Sequence, residues 1–126
     1  ATLGMAGGWC PPNWPEKEIA WIIWPEVAGH GYALEATHAA RKYFYNQLGW
    51  DGAVSYLDPK NLDSIRLAER LGAKKDKEAA TVDGHDVVYR HPTPEQMRSS
   101  QIADGIEMEI NHYSDPMFKP KGYALD

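Results

Sequence analysis

The feature that most limits what this chain can fold into is an apolar strand that runs into a glycine turn and then into a helix. Residues Glu18-Ile19-Ala20-Trp21-Ile22-Ile23-Trp24 are mostly aromatic or β-branched and lie between Pro15 and Pro25. Apolar side chains on both alternating sets of positions suit a central strand covered on both faces. Gly29-His30-Gly31 follows, and beyond it Ala33, Ala36, Ala40, Tyr43, Phe44 and Leu48 recur at helical spacing. That stripe is expected to pack against the core, with Gly49 stopping the helix. A glycine turn that opens a helix leaves backbone N–H groups unpaired, and the helix dipole adds positive character there. Such a place suits a phosphate or pyrophosphate, and glycine is needed because a Cβ would block close approach. From the turn alone, a phosphate cradle and a bare strand-to-helix connection carry equal weight.

The other elements fall around this unit. Residues 2–10 read as a short strand weakened by glycines, and 11–15 as a proline-rich link. Ala53 to Leu57 is the next strand, ended by Asp58-Pro59. Asn61 caps a second helix to about Leu71, with Leu62, Ile65, Ala68 and Leu71 inward and Gly72 as terminator. Residues 73–84 are charged and turn at Asp83-Gly84. Asp86 to Arg90 is a short strand. Thr93 caps a short helix with Pro94 at its first position. Ile106, Met108 and Ile110 alternate with Glu107 and Glu109, which predicts a half-buried strand. The order predicts an α/β fold: a mixed β-sheet flanked by two main helices, with an extra C-terminal segment. Residues 1–92 are expected to form the domain and 93–126 an extension of unknown role.

Size and charge narrow the function. At 126 residues the chain makes one domain, or one with an appendage. Thirteen Lys+Arg against eighteen Asp+Glu gives a net charge of −5, which argues against a nucleic-acid or anionic-membrane binder. No apolar run approaches the ~18 residues of a membrane helix. One cysteine gives no disulfide framework, and a cytoplasmic setting is expected. Cys10 has no neighbouring histidine and reads as a small buried or half-exposed residue. His85, Asp86 and His91 match no metal-site spacing, and the histidines read as solvated. Two nucleotide motifs fail as well: Leu34 stands where a dinucleotide fingerprint needs glycine, and no Gly-Lys-Ser/Thr follows the turn.

Two runs together are more specific. Gly29-His30-Gly31-Tyr32-Ala33-Leu34-Glu35-Ala36, and Asp58-Pro59-Lys60-Asn61-Leu62-Asp63-Ser64-Ile65-Arg66-Leu67-Ala68-Glu69-Arg70-Leu71-Gly72-Ala73, resemble the acyl-CoA loop and the following helix of the GNAT N-acetyltransferases. The look is that of the subgroup resembling the ribosomal-protein N-terminal acetyltransferases. The resemblance implies acetyl-CoA as acyl donor and an amine acceptor, either a small molecule or a protein N-terminus. It implies that Gly29, His30, Gly31, Tyr32 and Ala33 hold the coenzyme pyrophosphate. Trp21, Ile22 and Ile23 would pair with the pantetheine amides, and the splay between the strands at 18–24 and 53–57 would admit the acyl arm. Asn61 and Ser64 would line the thiol end, with Ser64 protonating the thiolate. Direct transfer to an amine needs positioning and a base. Glu18 is the candidate base, and an ordinary strand-end carboxylate is its other reading.

Departures from the family are informative. Glu26 stands where the family loop has Arg or Gln, and Ala68 where many members carry a tyrosine acid. The family's first strand, two helices and second strand have no counterpart, which makes the chain look N-terminally shortened. Three accounts of the shortfall stand side by side: a fragment, a short gene whose tail patches the sheet, or a homodimer covering an open edge. An alternative function uses the same features. It is a catalytically degenerate domain serving coenzyme binding or protein–protein interaction.

Overall fold

The computed structural model describes residues 4–23 and 31–114. Gly29 and His30, with Trp24 and Glu26, lie outside the described residues, as do 1–3 and the tail from 115. The elements run β1 (Gly4–Trp9), β2 (Glu18–Ile23), α1 (Tyr32–Asn46), β3 (Val54–Leu57), α2 (Leu62–Arg70), β4 (Lys74–Lys75), β5 (Val87–Arg90), α3 (Pro94–Ser99) and α4 (Ile102–Ser114). The five strands form one mixed sheet in the order β1-β2-β3-β5-β4. This is the expected α/β architecture, with β4 added from the charged stretch.

The pairing is uneven along the sheet. β1 and β2 pair antiparallel along their full length, from Gly4 with Ile23 to Trp9 with Glu18. β3 and β5 pair antiparallel over four positions. β2 and β3, by contrast, are parallel with a single registered pair, Glu18 with Val54. The Val54 N–H donates to the Lys17 carbonyl at 3.0 Å beside that pair.

The first helix is rotated from expectation. Its buried residues are Leu34, Thr37, His38, Arg41 and Tyr45. Tyr43 and Leu48 of the expected stripe are exposed. The inward face has the right helical period but is largely polar, so a search for apolar residues selected a neighbouring stripe. In α2 the buried residues are Leu67 and Ala68, followed by Leu71, while Leu62 in the first turn is 58% exposed.

The segment expected as a strand near Ile106 is helical. Ile102, Ile106 and Ile110 are spaced four apart, and they meet Leu34, Leu67 and Leu71 in one cluster. Alternation of Ile and Glu over five residues fits a strand, but the longer i, i+4, i+8 stripe fits a helix and buries more apolar surface. Caps are where sequence and structure agree best. Asn61 accepts the Ser64 N–H at 3.1 Å. Thr93 and Gln96 form a capping box behind Pro94.

Two further clusters complete the core. One joins Leu57, Ala68, Ala73 and Tyr89, and the other Ile19, Tyr45 and Ala53. Trp21 packs against all three. At the far end of α1, Phe44 stacks on Trp50 with centroids 4.6 Å apart, close over β1. Gly8 makes that approach feasible, because a Cβ there would sit 2.6 Å from Trp50 and 2.8 Å from Phe44. Replacing Gly8 by Ala is therefore expected to destabilise the chain by about 1–3 kcal/mol through overpacking. Gly7→Ala, which has open space around it, serves as the control. Equal urea midpoints for the two variants would show that the stack is not seated on β1.

Candidate active site

The site begins where β2 and β3 part. Strand alternation puts Ile19 and Trp21 on the sheet face that carries α1 and α2, and Glu18, Ala20 and Ile22 on the other. By the same rule and the register, Ser55 and Leu57 share the helical face, and Val54 and Tyr56 the opposite one. The two candidate catalytic residues are thus on opposite faces.

On the helical face, the Trp21 indole Nε1 donates to the Ser64 hydroxyl oxygen at 3.2 Å. Ser64 sits in the first turn of α2, held by the Asn61 cap. The structure therefore brings the candidate residues Trp21, Asn61 and Ser64 together. The Asn61 amide oxygen is engaged in capping. Because the Ser64 oxygen accepts the indole N–H, the Ser64 proton is available for donation.

Gly31 precedes α1 with φ of 83°, a left-handed conformation that favours glycine. Its carbonyl accepts the Glu35 N–H at 3.0 Å. Tyr32 and Ala33 occupy the first turn, half-buried. Burial, with Glu35 adding to it, pushes the Tyr32 phenol up. Ile22 lies on the open face and is 55% exposed, and the backbone of Ile23 ends β2.

On the open face, the Glu18 carboxylate accepts the Trp14 indole N–H at 2.9 Å. Two residues along β3 from the Glu18 partner, Tyr56 places its hydroxyl in a buried position. Burial first, then the neighbouring carboxylate of Glu16, raise the Tyr56 phenol. Arg90 pins this region by a bidentate pair with Glu16 at 2.7 and 3.0 Å and a further bond to Asp76 at 2.9 Å. Cys10 is exposed. A cavity of about 490 Å³ lies at the other end of the fork, lined in part by Cys10, Glu16, Lys17, Asp51 and Arg90.

His91 corrects the expectation of a solvated histidine, for it is 2% exposed. Its Nε2 lies 2.8 Å from the Ser55 hydroxyl and its Nδ1 3.0 Å from Arg41 Nη1. The Trp21 ring stands nearly perpendicular to it, with centroids 6.4 Å apart. The Ser55 hydroxyl also donates to the Ile19 carbonyl at 2.6 Å, and Arg41 Nη1 donates to the Leu71 carbonyl at 2.7 Å. Sequence reasoning missed Arg41, Ser55 and Tyr56, and it read His91 as solvated. A polar residue inside an otherwise apolar strand, such as Ser55, was the available signal. Among the described residues no group of histidines, cysteines and carboxylates forms a metal cluster. No described helix is long and apolar enough to cross a membrane.

Residues 1–74 match the family model described as the acetyltransferase (GNAT) domain. The chain belongs to the GNAT acetyltransferase family. It is similar, at 38% identity and a TM-score of 0.68, to the crystal structure of the acetyltransferase from Agrobacterium tumefaciens strain C58, covering 71% of this chain and 53% of that one. Over 59 residues it is 27% identical to the uncharacterized N-acetyltransferase YnaD of Bacillus subtilis strain 168, covering 47% of this chain and 35% of that protein. Over 60 residues it is 35% identical to the uncharacterized protein YkkB of the same organism, covering 48% of this chain and 35% of that protein. These matches thus cover 35% of the length of each curated relative. The GNAT match includes the β2–β3 fork, α1 and the Asn61–Ser64 cap, while His91 and α4 lie beyond it.

The buried histidine gives this GNAT chain a defined acid response. Burial, helped by the Arg41 charge, pushes His91 from its ordinary 6.5 down to about 3. His38 is shifted in the same direction, chiefly by burial. Between those pH limits the unfolded chain binds a proton at His91 that the folded chain does not. Stability contributed by neutral His91 is therefore complete above pH 6.5 and is lost as pH falls toward 3. Urea unfolding at pH 7 and pH 5 is expected to show a loss of roughly 1–2 kcal/mol, near the limit of one proton over that range. His91→Gln should flatten this dependence. An equal slope in that variant would refute the assignment.

Proposed function

We propose that this chain transfers an acetyl group from acetyl-CoA to a primary amine by direct attack. The observation that carries the reading is the fork: β2 and β3 share one registered pair, and Trp21 with Ser64 stand on one face while Glu18 stands on the other. A thioester arm entering between the strands would meet Ser64 from the helical side. An amine would approach from the open side. Gly31, Tyr32 and Ala33, with Gly29 and His30, would hold the pyrophosphate through backbone N–H groups and the α1 dipole. Trp21, Ile22 and Ile23 would pair with the pantetheine amides.

In this reading, Glu18 accepts a proton from the incoming ammonium, directly or through water. The free amine attacks the thioester carbon, a C–N bond forms, the C–S bond breaks, and the nitrogen releases its surplus proton to solvent water. Ser64 donates its proton to the departing sulfur, and solvent restores it. The Trp21 N–H on the Ser64 oxygen favours that donation, because it draws electron density from the hydroxyl. The amine belongs to a small molecule or to a protein N-terminus. The setting is cytoplasmic, and β1, an edge of the sheet, is where a second copy would pair.

Calorimetric titration with acetyl-CoA and with free CoA tests the donor. Both are expected to bind the parent chain, and Gly31→Trp is expected to abolish binding. Retained affinity in that variant would refute the loop assignment. Glu18→Gln is expected to lower kcat/KM for an amine substrate by about 100-fold or more at neutral pH while leaving coenzyme affinity unchanged. A kcat/KM within a few-fold of the parent would remove Glu18 from the base role.

A further inference from the structure

We propose that Arg41, His91 and Ser55 form a positioning relay that fixes the point where β2 and β3 separate and ties it to α1. The inference rests on the reading above, since the purpose of the fork is to admit an acyl-coenzyme arm.

The proton arrangement has one solution. Ser55 has a single hydroxyl proton, and the Ile19 carbonyl at 2.6 Å takes it, because a carbonyl accepts only. The Ser55 oxygen must then accept from His91, so Nε2 carries the ring proton across 2.8 Å. That leaves Nδ1 bare, which is what the Arg41 guanidinium at 3.0 Å requires. In the reverse arrangement an Nδ1–H would face an Arg N–H, donor against donor. Arg41 completes the set with its bond to the Leu71 carbonyl at 2.7 Å. The direction of donation thus runs from Arg41 through His91 and Ser55 to the Ile19 carbonyl.

Each link comes from a different element. Arg41 is on α1, Leu71 ends α2, His91 follows β5, Ser55 is on β3 and Ile19 is on β2. Ile19 is the residue after the single registered β2–β3 pair. The Ser55 hydroxyl therefore holds β2 to β3 by a side chain at the place where registered pairing stops. Trp21, two residues on and on the same face, makes a T-shaped ring contact with His91 and bonds Ser64.

Stability alone is a poor account of this cluster. Arg41 and Ser55 are fully buried and His91 nearly so. Among the described residues no carboxylate forms an ion pair with Arg41. A buried cation against neutral partners is expensive, and apolar side chains of the same volume would stabilise the core more. What the polar set supplies is a defined distance and direction between α1, which begins at the Gly31 turn, and the β2 carbonyl at the fork.

The test joins a spectroscopic readout to a binding one. Long-range ¹H–¹⁵N spectra of the parent are expected to show His91 neutral with its proton on Nε2. Calorimetry with acetyl-CoA is expected to show Ser55→Ala weakened at least fivefold and Ser55→Thr, which keeps the hydroxyl, within about twofold of the parent. Phe44→Leu, which loosens the stack on Trp50 at the far end of α1, is the control and should bind within twofold. If Ser55→Ala does not fold, Ser55→Cys keeps the volume with a weaker donor and is read the same way, with at least fivefold weakening expected. A proton on Nδ1, or a folded Ser55→Ala (or Ser55→Cys in its place) that binds as tightly as the parent, overturns the relay. A parent that binds neither acetyl-CoA nor CoA overturns the coenzyme reading itself, which is a distinct result.

Discussion

One registered pair between β2 and β3 governs the geometry of this protein. Parallel strands held along their whole length would leave a closed sheet, and a sheet with no contact there would fall into two pieces. The Glu18–Val54 pair and the Lys17–Val54 bond hold the base together, and among the described residues β2 and β3 share no registered pair with each other beyond it. A gap in the ladder leaves backbone groups that need partners elsewhere. The Ser55 hydroxyl satisfies one of them at Ile19. Trp21 covers the junction by touching all three core clusters at once. A substitution at Trp21 would therefore disturb all three clusters together, whereas Glu18, half-buried on the open face, is separable from the core.

The helical layer follows from the same geometry. α1 crosses behind β1 and β2, and its polar inward face reaches the relay residues that apolar side chains would not tie together. α4 then closes the other flank of α1. Ile106 fills the space between Leu34, Leu67 and Leu71, and Glu107 bridges His38 and Lys42 at 3.4 Å each. Those contacts hold the Glu107 carboxyl below its usual range, with the His38 bond as the largest cause. Arg70 on α2 reaches Glu109 at 3.3 Å. The exposed members of these pairs contribute little individually, so the apolar stripe of α4 carries most of its docking.

Local chemistry was legible in the sequence where it is decided locally. Asn61 and Thr93 cap their helices because a side-chain oxygen two or three residues away is all a cap requires. The strands at 18–23 and 54–57 announced themselves by β-branched and aromatic content, and the glycine turn by its composition. The candidate residues Trp21, Asn61 and Ser64 came from a resemblance carried by motif order, and the structure brings them together. The expected helical stripe failed at α1 because Thr37, His38 and Arg41 are buried by tertiary partners that no window of the sequence contains. Ile106 was misread because five residues of alternation satisfy two periods at once. His91 was misread because a histidine beside a proline looks like a strand exit, and only its position between Ser55 and Arg41 makes it buried.

The polar residues that sequence reasoning passed over share a property that explains why they were missed. Each acts through a partner far along the chain: Ser55 and His91 are separated by 36 residues, Arg41 and His91 by 50. Two of the three relay residues fall within the stretch matched to the GNAT family, and His91 lies beyond it. The fork is thus assembled from a family segment and a residue supplied from outside it. Because the His91 ring has a forced proton arrangement, the outside residue is chemically constrained by the inside ones. A replacement for His91 must donate to Ser55 on one side and accept from Arg41 on the other. Among the ordinary side chains, neutral histidine, the amides of Asn and Gln and the hydroxyls of Ser, Thr and Tyr can do both, and only histidine does so from two separate atoms of one rigid ring that spans both partners.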